Sequence, residues 1–325
     1  MTTGKTAKVI VHALEPEQML ERLSARYPSI EAIGCTTYAD LPSDLAAFRP
    51  DIYYGIRFAG TDGFPRDALF GEFGPKWISV GGSGVDHLHS WNPNQIHVTN
   101  SAGVAASAMA EFMLGGFLHF TLDVAGLERD RTNRVWQSDR QIIPLSNKTL
   151  LIVGLGQTGS ALAQRAKAFG MKVIGIRARP KSTDNVDEIY TADRLPELWH
   201  RADFVAVCVP LLNSTRGLIG TSAFDRMRKG TVIADVSRGG VMDGAALIEA
   251  LMTEKLGGAV LDVFETEPLP QGHQLWDLEN VLVSPHCSSV FDGWEMASFD
   301  MFCDNLDNYL AGRQLTNLVD PQRGY

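Results

Sequence analysis

Short apolar runs alternate with amphipathic stretches along the first hundred residues. The apolar runs predict five strands: Lys8–Val11, Ala32–Cys35, Ile52–Gly55, Trp77–Gly81 and Ile96–Thr99. Glu17–Ala25 and Ser43–Phe48 have the spacing of intervening helices. Strands that alternate with helices in this way predict a parallel sheet with helices on its faces.

A second alternating series begins at Lys148. It follows a single predicted helix from Ala102 to about Arg131 and a polar connector in which Trp136 is expected to be a packing residue. This series predicts six strands: Thr149–Gly154, Lys172–Arg177, Phe204–Val209, Thr231–Val236, Ala259–Val263 and Val281–Ser284. Six parallel strands with crossover helices are typical of a doubly wound nucleotide-binding sheet. After this series, the segment Trp294–Leu310 predicts one more helix.

The two series predict an α/β protein of two domains, which agrees with a length of 325 residues. Because the last helix can pack back on the first series, we expect a discontinuous domain of residues 1–101 and 292–325. Residues 102–291 then form the second domain.

Composition excludes several classes of function. The 29 basic and 38 acidic residues leave a net charge of −9, and no long basic run occurs, which argues against nucleic acid or a membrane as partner. The four cysteines have no metal-ligand spacing, so we predict no metal site and reduced thiols in the cytoplasm. The apolar window from Ala102 to Leu122 is interrupted by Glu111, which favours a packed helix over a membrane span.

A glycine-rich loop follows the first strand of the second series. The loop reads Gly154-Leu155-Gly156-Gln157-Thr158-Gly159 and leads into a predicted helix, Ser160–Phe169. Gly154 permits a tight turn, Gly156 lets the backbone approach a pyrophosphate, and Gly159 allows close packing of helix on strand. The helix N-terminus offers N–H groups to phosphates. The loop therefore predicts a dinucleotide site, with a turn that binds nothing as the alternative.

The next strand ends in cations where NAD-binding folds usually carry a carboxylate. The segment is Arg177-Ala178-Arg179-Pro180-Lys181. Its cations favour a 2′-phosphate, so we predict that NADP is preferred and that NAD is possible. A solvated basic turn is the alternative.

Three polar side chains follow three later strands of the same series. Arg238, Glu267 and His286 come after the strands that begin at Thr231, Ala259 and Val281. The carboxyl ends of parallel strands meet at one edge of the sheet, where ligands gather. Arginine can hold a carboxylate, and histidine can protonate a developing alkoxide while a nicotinamide supplies hydride. A carboxylate on the other ring nitrogen would hold the histidine tautomer.

Four segments together resemble the D-isomer-specific 2-hydroxyacid dehydrogenases. They are Val153–Gly159, Asp235–Leu247, Leu261–Pro270 and Ser284–His286. The closing segment Val319–Tyr325 and the arginine-rich segment are most similar to the glyoxylate/hydroxypyruvate reductase A branch. The resemblance implies a flavodoxin-like substrate-binding domain, an NAD(P)-binding Rossmann domain, an active site in the cleft between them and a homodimer joined through the coenzyme domain.

The resemblance also implies roles for individual residues. Arg238 would bind substrate, Glu267 would be the acid and His286 the proton donor. The loop Gly82-Ser83-Gly84 would hold the substrate carboxylate, and a glycine-rich turn after a strand makes an anion-binding concavity in its own right. Trp294 could cap the substrate pocket, and pocket size would depend on the loop around Arg57–Gly60. The implied cofactor contacts are Gly154, Leu155, Gly156, Gln157, Thr158, Gly159, Arg177, Arg179, Val209, Pro210, Asp262 and His286.

The expected function is reduction of a small 2-oxo acid, glyoxylate or hydroxypyruvate, to the D-2-hydroxy acid or to glycolate. The runner-up is an NAD-dependent dehydrogenase for a bulkier 2-oxo acid. A cofactor-sensing, dehydrogenase-like binding protein is the alternative from another class. The chain departs from the family pattern after His286, where Cys287-Ser288-Ser289 follow instead of small residues and glycine.

Overall fold

The computed structural model describes residues 6–56, 63–321, 323 and 324. The chain divides into two compact units. Unit 1 comprises residues 1–104 and 292–325, and unit 2 comprises residues 105–291. The first boundary therefore lies at 104–105, against a predicted 101–102, and the second lies at 291–292.

Unit 1 contains a parallel sheet of five described strands. They are β1 (Lys8–His12), β2 (Glu31–Cys35), β3 (Ile52–Gly55), β4 (Trp77–Val80) and β5 (His97–Asn100). Their order is β2-β1-β3-β4-β5, and each neighbouring pair is parallel. Every residue of β3 and β4 is buried, as helices on both faces of a parallel sheet require. The predicted sheet is confirmed.

The helices between these strands are α1 (Glu17–Arg26), α2 (Leu41–Phe48) and a short α3 (Arg66–Leu69). Met19 and Leu23 of α1 lie one turn apart and are both buried, which is the spacing of an amphipathic helix. Helix α3 was not predicted from the sequence, because four residues make too short a periodic pattern to detect.

Unit 2 contains the second parallel sheet, with seven described strands. They are β6 (Thr149–Val153), β7 (Lys172–Ile176), β8 (Glu188–Tyr190), β9 (Phe204–Val207), β10 (Thr231–Asp235), β11 (Leu256–Leu261) and β12 (Val281–Val283). Their order is β12-β11-β10-β9-β6-β7-β8. The predicted count of six was wrong, because β8 has three half-buried residues and no apolar run. The chain leaves β6 toward β7 and returns to β9 on its other side, so the β6/β9 edge is the topological switch point.

The helices of unit 2 are α4 (Ala106–Thr121), α5 (Val124–Asn133), α6 (Gln157–Ala168), α7 (Leu195–Leu198), α8 (Thr221–Arg226) and α9 (Gly244–Met252). The predicted single helix from Ala102 to about Arg131 was wrong. Asp123 takes a left-handed conformation with φ 50°, and its carboxylate accepts a hydrogen bond from the Gly126 N–H at 3.1 Å. One residue therefore ends α4 and caps the start of α5.

The last helix, α10 (Trp294–Leu310), has the predicted bounds and completes the core of unit 1. The rings of Phe299 and Phe302 lie 5.1 and 4.9 Å from the ring of Tyr54, between centroids. The Tyr27 hydroxyl of α1 donates to the Cys303 carbonyl at 2.8 Å. Large buried aromatic pairs of this kind dominate core energetics. Across the described part of the chain, no helix is both long enough and apolar enough to cross a bilayer.

Candidate active site

The glycine loop after β6 has the geometry that a dinucleotide needs. Gly154 has φ 111°, and a Cβ there would lie 2.7 Å from the Cys208 carbonyl oxygen of the neighbouring strand end. A Cβ on Gly159 would lie 2.1 Å from the Gly154 oxygen. A Cβ on Gly156 would meet no protein atom within 4 Å. A side chain at Gly154 or Gly159 would therefore clash with the protein backbone, whereas Gly156 leaves space for a ligand.

The start of α6 presents N–H groups beside that space. The N–H groups of Gly156, Gln157 and Thr158 donate to no carbonyl or side chain in the described residues, as expected of a first helical turn. The Leu155 N–H instead donates to the Ile176 oxygen at 2.9 Å and holds the turn on β7. Orphan N–H groups at a helix N-terminus fit a pyrophosphate.

Val209 and Pro210 follow β9, on the other side of the switch point. The Val209 Cγ1 atom would lie 2.9 Å from a Cβ on Gly154, so this side chain borders the glycine loop. The Pro210 carbonyl accepts a hydrogen bond from the Thr215 hydroxyl at 2.6 Å. Both predicted contacts therefore lie on the loop that neighbours the glycine turn.

The basic segment after β7 carries three cations that make no ion pair with the described residues. Arg177 is half-buried, and Arg179 and Lys181 are exposed. The Arg177 N–H donates to the Tyr190 oxygen at 2.9 Å, which ties the backbone of this segment to β8. Charges without a protein partner are suited to a phosphate ligand.

Arg238 lies in a turn that the last residue of β10 holds in place. The buried carboxylate of Asp235 accepts hydrogen bonds from the Ser237 N–H at 2.8 Å and the Ser237 hydroxyl at 2.5 Å. The half-buried Arg238 donates from Nη1 to the Ser237 carbonyl at 2.7 Å. A Cβ on Gly239 would lie 1.9 Å from the Phe264 oxygen, so the loops after β10 and β11 touch here.

Glu267 and His286 form a direct pair across the loops that follow β11 and β12. Nδ1 of His286 lies 2.7 Å from Oε2 of Glu267. The second carboxylate oxygen of Glu267 accepts a hydrogen bond from the Phe264 N–H at 3.0 Å. Each side chain is about one-third exposed. With Nδ1 on the carboxylate, Nε2 remains to exchange a proton with a ligand.

The His286 loop is anchored by the buried carboxylate of Asp262. Asp262 accepts hydrogen bonds from the Ser284 hydroxyl at 2.7 Å, the Cys287 N–H at 2.8 Å, and the Ser288 N–H and hydroxyl at 3.1 and 2.5 Å. These donors lie on both sides of His286, which has a left-handed φ of 54°. Asp262 therefore holds the histidine in a conformation that is uncommon for a side chain other than glycine.

The acids of this edge have shifted pKa values with different causes. Burial raises the pKa of Asp235 to about 7, against the hydrogen bonds from Ser237, and the charge of Asp262 raises it further. Burial also raises the pKa of Glu267, but hydrogen bonds from His286 and from the Phe264 N–H outweigh it, and the pKa is lowered. Glu267 is therefore ionised at neutral pH. Burial raises the pKa of the Cys287 thiol, so little of the reactive thiolate is present at neutral pH.

The remaining predicted substrate residues belong to unit 1. The loop Gly82-Ser83-Gly84 follows β4, and Trp294 is the half-buried first residue of α10. The segment Arg57–Gly60 lies outside the described residues, as do Gln322 and Tyr325 of the closing motif.

The sequence missed the roles of Asp235, Ser284 and Ser288, which hold the strand-end loops. An available signal was the Asp-x-Ser spacing at the end of β10, because such side chains often bond the backbone two residues on. Glu111 of α4 accepts a hydrogen bond from Arg165 of α6 at 2.8 Å, which lowers its pKa and gives it a structural role between the two helices. In the described residues, no cluster of side chains could hold a metal ion.

Comparison with known proteins agrees with this geometry. A family model described as the NAD binding domain of D-isomer specific 2-hydroxyacid dehydrogenases matches residues 114–288. The D-3-phosphoglycerate dehydrogenase of Methanocaldococcus jannaschii is 33% identical over 249 residues, which are 75% of this chain and 47% of that protein. This chain thus spans less than half of that relative's length. The glyoxylate reductase of Thermofilum pendens is 33% identical over 273 residues, 81% of this chain and 80% of that protein.

A solved structure extends the similarity over both units. The NADPH-dependent glyoxylate/hydroxypyruvate reductase of Sinorhizobium meliloti, in complex with NADP and sulfate, is 26% identical with a TM-score of 0.82. The match covers 98% of this chain and 100% of that one. The family model matches the part of the chain that carries the glycine loop, Arg238, Glu267 and His286. The chain therefore belongs to the D-isomer specific 2-hydroxyacid dehydrogenase family, whose members depend on NAD(P).

Proposed function

We propose that this chain is an NADPH-preferring reductase of a small 2-oxo acid such as glyoxylate or hydroxypyruvate. The observation that carries the proposal is the pairing of His286 with Glu267 at a strand-end edge that also holds Arg238. A guanidinium, an imidazole and a carboxylate are the groups that ketone reduction beside a carboxylate requires.

Each of these side chains has a separate chemical task. The Arg238 guanidinium binds the substrate carboxylate and polarises the keto oxygen through its planar donors. Nε2 of His286 donates a proton to that oxygen as negative charge develops on it. The Glu267 carboxylate accepts the hydrogen bond from Nδ1, orients the ring and stabilises its protonated form. The nicotinamide cofactor, when bound, supplies the hydride.

The residues present fit such a cofactor. The open space at Gly156 and the orphan N–H groups of the first turn of α6 would hold the pyrophosphate. Asp262 stays a proposed cofactor contact, although its carboxylate already accepts four donors from the His286 loop.

A preference for NADPH is supported by Arg177 and Arg179, which lack ion-pair partners among the described residues. In the double variant Arg177→Ala/Arg179→Ala, kcat/KM for NADPH should fall about a hundredfold and that for NADH should change less than about threefold. Arg226→Ala, which removes the exposed arginine at the last position of α8, is the control. Equal losses with both cofactors would contradict this assignment.

The substrate is tested by following oxidation of NADPH and NADH with glyoxylate, hydroxypyruvate, pyruvate and phenylpyruvate. Fast NADPH oxidation with the two smallest acids is the expected result. Preference for phenylpyruvate with NADH would favour the dehydrogenase for a bulkier acid. Binding of both cofactors without turnover of any acid would overturn the reductase and favour the cofactor-sensing protein.

We also propose that the chain forms a homodimer through unit 2. The connector after α5 and the helix itself expose five apolar side chains: Leu127, Val135, Trp136, Ile142 and Ile143. Trp136 was expected to pack within the chain, but it is 94% exposed. Exposed apolar side chains concentrated in one segment favour an interaction site, and a second copy is the occupant we propose. Trp136→Glu/Ile142→Glu should sediment as a monomer where the wild type sediments as a dimer, and a monomeric wild type would overturn the proposal.

A further inference from the structure

The loop after β4 has its carbonyl groups bonded to the end of β5. The Ser101 N–H donates to the Gly82 oxygen at 3.0 Å, and Nδ2 of Asn100 donates to the Ser83 oxygen at 2.7 Å. The Ser101 hydroxyl donates to the Val80 oxygen at 3.2 Å. Asn100, the last residue of β5, and Ser101, which follows it, thus bond three carbonyl groups of this segment.

The N–H groups of the same loop have no partner among the described residues. Those of Gly82, Ser83 and Gly84 donate to no residue within the described part of the chain. A Cβ on Gly82 would meet nothing within 4 Å, so the loop borders open space. A turn whose carbonyls are bonded away and whose N–H groups are unpaired is an anion-binding concavity.

The Asn100 side chain makes two hydrogen bonds that hold this loop against the end of β5. It is buried, and its Oδ1 accepts a hydrogen bond from the Ala102 N–H at 3.2 Å while its Nδ2 donates to Ser83. One end of the side chain must accept and the other must donate, which an amide does and a carboxylate does not.

The C-terminal segment fixes Asn100 from the other side. Nδ2 of Asn317 donates to the carbonyls of Asn100 and Ala102 at 3.3 and 2.9 Å, and the Asn100 N–H donates to the Asn317 oxygen at 3.3 Å. Asn317 has a left-handed φ of 52°. The Val319 N–H then donates to the Val98 oxygen at 2.8 Å, which continues the attachment along β5.

We propose that Asn100 is a positioning residue for substrate binding: its amide holds the Ser83 carbonyl back so that the loop N–H groups can bind the carboxylate of the 2-oxo acid. This inference rests on the proposed function for the identity of the anion. The hydrogen bonds of Asn100 and Asn317 should therefore affect the affinity for substrate and leave the rate of the chemical step unchanged.

The test is Asn100→Asp in the full-length chain. The substitution keeps the acceptor for Ala102 but places an oxygen against the Ser83 oxygen, and the two acceptors repel. KM for glyoxylate should rise about tenfold, while kcat and KM for NADPH should change less than about threefold, because uniform substrate binding alone is lost.

Thr99→Val is the matched control. Thr99 is buried on the same strand, one residue away and on the opposite face, where its hydroxyl accepts a hydrogen bond from Trp77 Nε1 at 2.9 Å. The control removes a buried hydrogen bond from the same sheet without touching the loop. It should leave KM for glyoxylate within about twofold of the wild type.

Calorimetric binding of oxalate supplies a readout that does not need turnover. Oxalate should bind the wild type and the control alike and bind Asn100→Asp about tenfold more weakly. If oxalate shows this difference in affinity but no 2-oxo acid is turned over, the proposed function is overturned and the positioning role of Asn100 stands. Turnover by the wild type with an unchanged KM and an unchanged oxalate affinity in Asn100→Asp would overturn the positioning role. A parallel loss of kcat and of cofactor affinity would also overturn it.

Discussion

Nδ1 of His286 lies 2.7 Å from Oε2 of Glu267, across two loops whose paired residues are 19 positions apart in the chain. The two loops follow neighbouring parallel strands, β11 and β12, so their proximity comes from the sheet. The contact leaves Nε2 of the imidazole for the proton transfer that we propose. The contact also makes the proton affinity of the His286 ring depend on the charge of Glu267.

Replacing Glu267 by Gln should change the pH dependence of the reaction. The neutral amide no longer stabilises the protonated imidazole, so the pH at which reduction declines should move down by roughly one unit. The measurement is kcat/KM for glyoxylate against pH at saturating cofactor. Glu265→Gln, an exposed acid in the same loop, is the control. An unchanged pH profile in Glu267→Gln would exclude this role.

Replacing Gly156 by Ala should separate cofactor binding from stability. Gly156 has φ −84°, and an added Cβ meets no protein atom within 4 Å, so the free energy of unfolding should change by less than about 0.5 kcal/mol. The methyl group occupies the space proposed for the pyrophosphate, so Kd for NADPH should rise about tenfold or more.

Gly154→Ala is the comparison for that experiment. Its positive φ and its contact with the Cys208 oxygen predict a loss of stability of about 1 kcal/mol or more. Calorimetric binding and urea unfolding measure both quantities. Wild-type cofactor affinity in Gly156→Ala would contradict the proposed position of the pyrophosphate.

Asp235 should make the stability of unit 2 depend on pH. Its pKa is about 7 in the folded chain and about 3.9 when unfolded, so between these values the native state holds a proton that the unfolded state has lost. Stability therefore falls as pH rises through this window. In Asp235→Asn this titration is absent, and its free energy of unfolding relative to wild type should rise by up to about 4 kcal/mol from about pH 4 to about pH 8.

Urea unfolding at several pH values measures this difference. Asp243→Asn is the control, because Asp243 is exposed and an amide can also cap α9. A difference between Asp235→Asn and wild type that is the same at every pH would show that Asp235 does not carry the effect.

Replacing Ser288 by Ala should loosen the His286 loop. The buried Asp262 carboxylate loses the donor at 2.5 Å, and the free energy of unfolding should fall by about 1–2 kcal/mol. Because His286 would be held less well, kcat should fall about tenfold. Ser289→Ala removes the adjacent hydroxyl, which bonds no described residue, and should behave as wild type. A stable Ser288→Ala with wild-type kcat would rule out an anchoring role for this hydroxyl.

The sheets were predictable because their signal is local. A buried parallel strand is a short apolar run, so the strands of unit 1 differ from their predicted bounds by one residue at most. The break at Asp123 and the strand Glu188–Tyr190 were missed because neither changes the apolar pattern around it. The roles of Asp235 and Asp262 were missed because burial and partners depend on neighbouring strands, which the residue pattern does not report.

The sequence by itself determined the two parallel sheets, the position of the dinucleotide loop and the identity of the three strand-end side chains. Each of these is encoded in consecutive residues, by apolar runs or by glycine spacing. Only the tertiary structure decided that Glu267 meets His286, that Asp262 holds the histidine loop and that Asn317 reaches Asn100. These contacts join segments distant in sequence, and they form because parallel strands bring their carboxyl ends to one edge, where buried polar groups must find partners.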